Sequence, residues 1–393
     1  LNSKLVVIAA VALIVIVLFS IFFVLNPSID HNSARQFYLG VEYAYGNDQP
    51  AQTQVAQIQA LVNKVKDYTN LFVMGAVSLT FNQTELYKAC DYIYENSNLD
   101  FIILFTGSNM YSYNITTWML NAGVRYGDRL LGIYKYDEPG GNQLDNTISQ
   151  LINKTVIEPT ASYTNIADQY IGNLTFMVNY YQRLGRVNMS TADYGLFWFD
   201  YESQYNATFA EFVGNESRQR IIALDRGAAK AFGRDWGVIV NWKYNQEPYL
   251  ENGTELYNDL ALAYSAGAKY AFVFSYPTYP AENQYGILQD EQFEALQQFW
   301  NTLHSNPKSF GINKAEAVYI VPKNYGFGFR SPTDTIWGLK PADELSPKIF
   351  ADTNIILPQL YGSRFDILYN EPEIISSLLK NYSAIYYWNQ TIP

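Results

Sequence analysis

Of 393 residues, one is a cysteine, Cys90, and two are histidines, His31 and His304. A single thiol excludes an internal disulfide and any paired-cysteine metal motif. The two histidines lie near the start of the chain and at the end of a late helical pattern, so no histidine triad or histidine-rich metal site is available. Charge is scarce as well. Asp, Glu, Lys and Arg make up 16% of the chain, against about a quarter in ordinary globular proteins. The balance is acidic, with a formal charge of −11, and this argues against a nucleic-acid partner, which needs a basic face to displace counterions. No P-loop occurs, and Gly326-Phe327-Gly328-Phe329-Arg330 lacks the third glycine and the helix start of a dinucleotide loop. No metal and no cofactor is expected. Cys90 reads as a small buried residue on a helix.

Hydrophobic residues are plentiful at 48%, with 34 tyrosines, so a large core can form beneath an uncharged polar surface. The length fits one large body and a smaller one. Leu5 to Leu25 contains Ser20 as its only polar residue, and about 20 helical residues span a bilayer's hydrocarbon layer. Residues 1–26 therefore read as a hydrophobic helix, and residues 27–36 as a polar linker. The run is longer than the h-region of a cleavable signal, which favours a retained anchor. Lys4 precedes it and no basic cluster follows, which places the bulk of the chain outside the cell. The segment also resembles the N-terminus of a mature type IV pilin-like subunit, whose apolar helix packs in a filament core. The expected partners are the membrane, through this helix, or like subunits in a filament.

Ten Asn-X-Ser/Thr sequons, at Asn82, Asn114, Asn153, Asn173, Asn188, Asn206, Asn215, Asn252, Asn381 and Asn389, agree with a glycosylated cell-surface location. With the apolar start and the missing disulfides, the combination resembles an archaeal surface protein.

From residue 37 the pattern alternates strand and helix. Strands are expected at 37–46, 71–79, 101–106, 131–136, 194–200, 208–213, 236–242 and 270–276. Helices are expected at 53–68, 84–96, 143–157, 165–184, 217–232, 255–266 and 290–304. Eight such units give the size and rhythm of a (β/α)8 barrel over 37–306. Its weak joint is 201–207, too short for an ordinary parallel crossover. A doubly wound sheet is the alternative. Residues 307–393 form a small α/β domain, with strands at 317–321, 365–369 and 384–388 and helices at 346–360 and 371–380.

The stretch that draws function to itself is Leu130-Leu131-Gly132-Ile133-Tyr134-Lys135-Tyr136-Asp137-Glu138-Pro139-Gly140-Gly141. An apolar strand ends in two carboxylates at the lip where parallel α/β folds bind ligands. Asp137-Glu138-Pro139 at the end of strand 4 resembles the Asn-Glu-Pro motif of retaining (β/α)8-barrel glycoside hydrolases, in which the Glu is the general acid/base. Here Asp137 replaces the Asn. The resemblance implies a partner carboxylate at the end of strand 7, but Val240-Asn241-Trp242-Lys243-Tyr244 carries none before Glu247. Glu42, Asp200, Glu202 and Glu211 are the other candidates. The bland alternative is that Asp137 and Glu138 cap the following turn and pair with Lys135 or Lys243.

Tyr43, Tyr45, Tyr136, Trp198, Tyr201, Trp242, Tyr244, Tyr276 and Tyr279 fall near strand ends, where aromatic faces can stack on sugar rings. The candidate site is thus Glu138, Asp137 and Glu247 for catalysis, with Glu42, Tyr136, Asp200, Trp242 and Tyr276 contacting a carbohydrate. Two functions follow: a membrane-anchored extracellular glycoside hydrolase-like protein that binds or cleaves a glycan, or a catalytically silent glycosylated subunit of a surface layer or filament.

Overall fold

The computed structural model describes residues 36–45, 49–107, 110–153, 161–279 and 283–393. The expected hydrophobic helix and all of the linker but Gln36 lie outside these residues. Among the described residues no helix is long and apolar enough to cross a membrane. Residues 37–393 form one compact unit.

Eight parallel strands close in chain order into a barrel: β1 Tyr38–Tyr45, β2 Leu71–Ala76, β3 Asp100–Phe105, β4 Leu130–Lys135, β5 Met189–Asp193, β6 Ala207–Phe212, β7 Asp235–Val240 and β8 Tyr270–Ser275. β8 returns to β1, pairing Tyr38 with Tyr270 and Glu42 with Phe274. The helices that matter below are α1 Ala51–Val65, α2 Gln83–Asn96, α3 Ile115–Tyr126, α4 Pro139–Leu144, α5 Tyr163–Gly185, α6 Phe197–Glu202, α7 Arg218–Phe232, α8 Gly253–Ala266 and α9 Asp290–Ser305. Cys90 is buried on α2.

Side chains alternate across each strand. One set, including Leu71, Val73, Ile102, Leu104, Tyr134, Phe209, Ile239 and Phe272, fills the barrel interior. The other, including Leu39, Val41, Ile103, Ile133, Phe212 and Val240, packs outward beneath the helices. Continuing the inward set to the C-terminal rim brings Glu42, Gly75, Glu211, Asn241 and Phe274 to the mouth. Period two thus decides which residues the site contains.

Four expectations need correction. Strand 5 is Met189–Asp193, not 194–200; that later stretch turns and forms α6, whose Phe197, Trp198 and Phe199 are buried. This removes the weak joint, because 194–206 has room for a crossover containing a short helix. The helix expected at 143–157 is instead α4, which starts at Pro139 and stops at Leu144, and Ile148 beyond it is fully exposed. Strand 2 ends at Ala76 and Val77–Thr80 is a helical turn. The helix expected at 346–360 contains a π-helical turn, Asp352–Ile356, just ahead of Pro358; a proline lacks the N–H that a regular α-helix would use there.

The C-terminal residues form a three-stranded parallel sheet, β9 Ala317–Val321, β10 Phe365–Tyr369 and β11 Ala384–Tyr387, in the order β10-β9-β11. It packs on α7 of the barrel. Gly227 allows the close approach, since a Cβ there would lie 2.5 Å from the Ile367 carbonyl oxygen. Beside it Arg226, 2% exposed, donates to Asp366 at 2.7 Å and to the carbonyls of Ser363 and Phe365, both at 2.8 Å. Asp366 also accepts from Lys230 at 2.6 Å and Tyr382 at 2.7 Å. Arg226→Met removes the guanidinium from the carbonyls of Ser363 and Phe365 and leaves Asp366 with Lys230 and Tyr382 alone. Urea unfolding should show a loss of about 3–5 kcal/mol, the usual cost of breaking one side of a buried ion pair.

Candidate active site

The mouth of the barrel holds a cavity of ≈ 300 Å³, lined by Glu42, Gly75, Tyr134, Asp137, Glu138, Glu211, Asn241, Trp242, Phe274 and Tyr276 among others. Carboxyls come from β1, the β4 lip and β6; aromatics come from the ends of β7 and β8. Among the described lining residues there is no Lys, Arg or His.

The β4 lip is bent hard to reach this place. Tyr136 has φ 65° and Glu138 φ 50°, both in the left-handed region, where a residue with a side chain costs of order 1–3 kcal/mol. Asp193 at the end of β5 holds the bend. Its carboxylate accepts backbone N–H groups from Gly140 at 2.5 Å, Gly141 at 2.8 Å, Tyr194 at 2.7 Å and Gly195 at 3.1 Å. The two glycines are required by contact: a Cβ on Gly140 would fall 2.2 Å from the Gly195 carbonyl oxygen, and one on Gly141 2.1 Å from the Tyr194 ring. The Glu138 N–H donates to the Ala192 carbonyl at 3.0 Å. Glu138 occupies the N-cap position of α4, but its side chain makes no capping bond. Asp193 does that work, so the Glu138 carboxyl is left for the cleft.

Residues beyond 324 brace α4 from outside. Gln143 donates to the Trp337 carbonyl at 2.9 Å, Arg330 pairs with Asp145 at 2.6 Å, and Asp145 accepts from Tyr194 at 2.7 Å.

Inside the cleft the carboxyls of Glu138 and Glu211 lie within hydrogen-bonding reach of each other, and each shifts the other's titration. Desolvation, then the charges of Asp137 and Asp193, pushes Glu138 up to about 7. Desolvation and the neighbouring Glu138 push Glu211 well above the glutamate range. Asn241 donates to Glu211 at 3.0 Å and holds it in place. The Tyr134 hydroxyl donates to Asp137. Asp137 is exposed, but what it faces is the cleft; its surroundings still raise it, by desolvation first. Behind the lip, Asp193 and Asp200 form a second pair. Burial raises both, Asp193 to about 7 and Asp200 well above its usual range. Because Asp193 already accepts four N–H groups, the shared proton resides on Asp200.

Of the residues singled out from the sequence, Glu138, Asp137, Glu42, Trp242 and Tyr276 converge on the cleft. Glu247 does not; it is exposed on the loop after β7. Asp200 is buried on α6 behind the lip, accepting from Tyr170 at 3.0 Å. Tyr136 turns away, its hydroxyl donating to the Ser149 carbonyl. Tyr43, Trp198 and Tyr201 are core residues. Lys135 and Lys243 do not neutralise the acids. Lys135 donates to the carbonyls of Phe105 and Thr106, and Lys243 pairs with Glu255 at 2.5 Å. The residue missed altogether was Asp193, whose signal was the turn sequence Asp193-Tyr194-Gly195. Among the sequons, Asn82, Asn114 and Asn252 cap helices α2, α3 and α8, and Asn206 is half-buried, accepting from the Met189 N–H at 2.8 Å.

No protein-family model matches the chain, and no curated protein sequence matches it. Among solved structures, a cold-adapted β-galactosidase from Rahnella sp. R3 is similar with a TM-score of 0.56 at 10% identity, over 91% of this chain and 67% of that one. That span exceeds the barrel, so the likeness of fold extends into the C-terminal unit. A spore coat polysaccharide biosynthesis protein from Bacillus subtilis gives 0.42 at 10% identity, over 71% of each chain. A xylose isomerase-like TIM barrel protein from Mycobacterium smegmatis gives 0.39 at 11%, over 68% of this chain and 99% of that one. Neither of the latter two carries an argument at such scores. The class is therefore a (β/α)8 barrel with a small C-terminal α/β unit, in a fold shared with a glycoside hydrolase.

The raised carboxyls have a consequence for stability. An acid whose pKa is higher folded than unfolded binds more protons in the native state, so its contribution is full below the unfolded value and is lost as pH rises through the folded one. For Glu138, Asp193 and Glu202, all raised to about 7, the window runs from the ordinary carboxylate range to about 7. A melting series across pH should give a higher Tm at about pH 5 than at about pH 8; the reverse order would contradict these shifts.

Proposed function

We propose that the chain is a glycoside hydrolase-like barrel that binds a glycan in the β4/β6 cleft and cleaves it with the Glu138–Glu211 pair. The observation that carries this reading is the carboxyl pair facing an aromatic wall. Trp242 lies 5.2 Å from Phe274 and 6.1 Å from Tyr276 between ring centroids, and Tyr276 stacks on Tyr279 at 5.8 Å. Such a wall offers flat apolar faces to a sugar ring, and a carboxyl pair that holds one proton supplies both an acid and a carboxylate.

In the resting pair the carboxyls lie within hydrogen-bonding reach of each other. Glycoside hydrolysis with retention uses a separation of about 5–5.5 Å, so on this reading a glycosidic oxygen enters between them and takes the proton. Glu138 is the donor at the β4 lip, and Glu211 on β6 replaces the partner expected on strand 7. The working form is the singly protonated pair.

The residues ahead of the barrel fit a membrane anchor, and the exposed sequons at Asn173, Asn188, Asn215, Asn381 and Asn389 fit a glycosylated cell-surface protein. Both belong to the proposal. A second reading, a silent barrel serving as a surface or filament subunit, is favoured by Asn241, which stands where the resembled family keeps its strand-7 acid.

The test is release of reducing sugar from a panel of polysaccharides by the full chain. Glu138→Gln should lower kcat/KM by about 10²–10⁴-fold, the range of general acid catalysis, and the wild-type kcat/KM should rise with pH through about 7, as the doubly protonated pair gives up one proton and the other stays shared between Glu138 and Glu211, available to the donor. If the wild type releases nothing from any polysaccharide while still binding one, the silent reading holds.

A further inference from the structure

Glu42 is the acid in the cleft that the proposed reaction does not use. It stands at the inward end of β1, 4% exposed, and lines the cavity. Its place is built: the side chain lies against Gly75 of the neighbouring β2, where a Cβ would fall 2.3 Å from the Glu42 Oε1. Yet among the described residues Glu42 has no hydrogen-bond or ion-pair partner, unlike every other acid of the lining. Burying an ionisable group without a partner is costly, and a site that accepts such a cost commonly does so for what enters it. The remaining chemistry of the cavity is one-sided. Four carboxyls, Glu42, Asp137, Glu138 and Glu211, meet Trp242 and Tyr276 with no basic side chain among them.

An acidic sugar would be repelled here, and a neutral one would offer the acids hydroxyl donors but no opposite charge. An ammonium is a compact charge with three donors. Burial and then Asp137 hold Glu42 well above the glutamate range; an ammonium beside it favours the ionised form and can pair with Glu42 and Asp137 at once, while the aromatic faces attract a cation as well as a ring. Resting on the glycan reading above, we infer that the substrate is an amine-bearing sugar, a hexosamine unit whose free ammonium is held by Glu42 and Asp137 while its ring lies against Trp242 and Tyr276.

The experiment is calorimetric titration of the full chain with a β-linked glucosamine tetrasaccharide, its N-acetylated counterpart and a neutral glucose tetrasaccharide. The conditions are about pH 6, where such an amine is charged, and about 0.15 M salt, which screens long-range attraction to the acidic chain. The free amine should bind about ten-fold or more tighter than the N-acetylated and neutral sugars, as expected for a charge-assisted hydrogen bond. Glu42→Gln should remove most of that preference, and Glu247→Gln, an exposed acid outside the cleft, should leave it intact. The wild-type comparison of the three sugars stands without either variant. Equal binding of amine and N-acetyl forms, or a preference that survives Glu42→Gln or falls equally in Glu247→Gln, overturns the inference and leaves the glycan reading standing. Binding of none of the three overturns both.

Discussion

The carboxylate of Asp193 is the point on which the site depends. It ends β5, faces outward from the barrel, and gathers four backbone N–H groups, two from the β4 lip and two from its own turn. That grip lets the chain leave β4 through two left-handed residues, Tyr136 and Glu138, and still begin a helix at Pro139. Without an acceptor there, the first N–H groups of α4 would be buried and unpaired, and a bend costing a few kcal/mol would relax. Asp200 completes the device by keeping the shared proton, and the Gln143–Trp337 and Arg330–Asp145 contacts hold α4 from the other side.

The same arrangement sets the electrostatics of the cleft. Acids converge from β1, β4 and β6 while Lys135 and Lys243 are engaged elsewhere, Lys135 with the carbonyls of Phe105 and Thr106 and Lys243 with Glu255. The acids therefore share protons rather than salt bridges, and their titration moves toward neutrality. A pair poised in this way suits proton transfer near pH 7, and it weakens the fold over the same range. Function and stability draw on one set of carboxyls in opposite directions.

Much of this was legible in the sequence, and the failures have physical causes. The eight-fold alternation could be read because each barrel strand is a short apolar run, and Glu138 because its run stops in acids, proline and glycine. Strand 5 was misplaced because Met189-Ser190-Thr191-Ala192-Asp193 is polar for a buried strand, while Leu196-Phe197-Trp198-Phe199 next to it has stronger strand character. In the structure the polar side chains are satisfied locally: Ser190 and Thr191 donate to the carbonyls of Ile133 and Tyr136. The aromatic run helps form α6 because it packs beneath residues more than a hundred positions away; Phe199 lies 4.5 Å from Trp337 and 5.0 Å from Tyr369 between ring centroids. No local pattern carries that information. Glu211 stood among the sequence candidates, but only strand register, which sets it inward beside Asn241, makes it the partner of Glu138.

The central claim is that Glu138 is held as half of a proton-sharing pair in a desolvated cleft. It is tested most directly by following the side-chain carboxyl carbon of Glu138 by NMR through a pH titration of the labelled chain, assigned with the Glu138→Gln variant. A midpoint near 7, shifting when Glu211 is replaced by Gln, is the predicted result. A midpoint in the ordinary glutamate range, unmoved by that replacement, would contradict it.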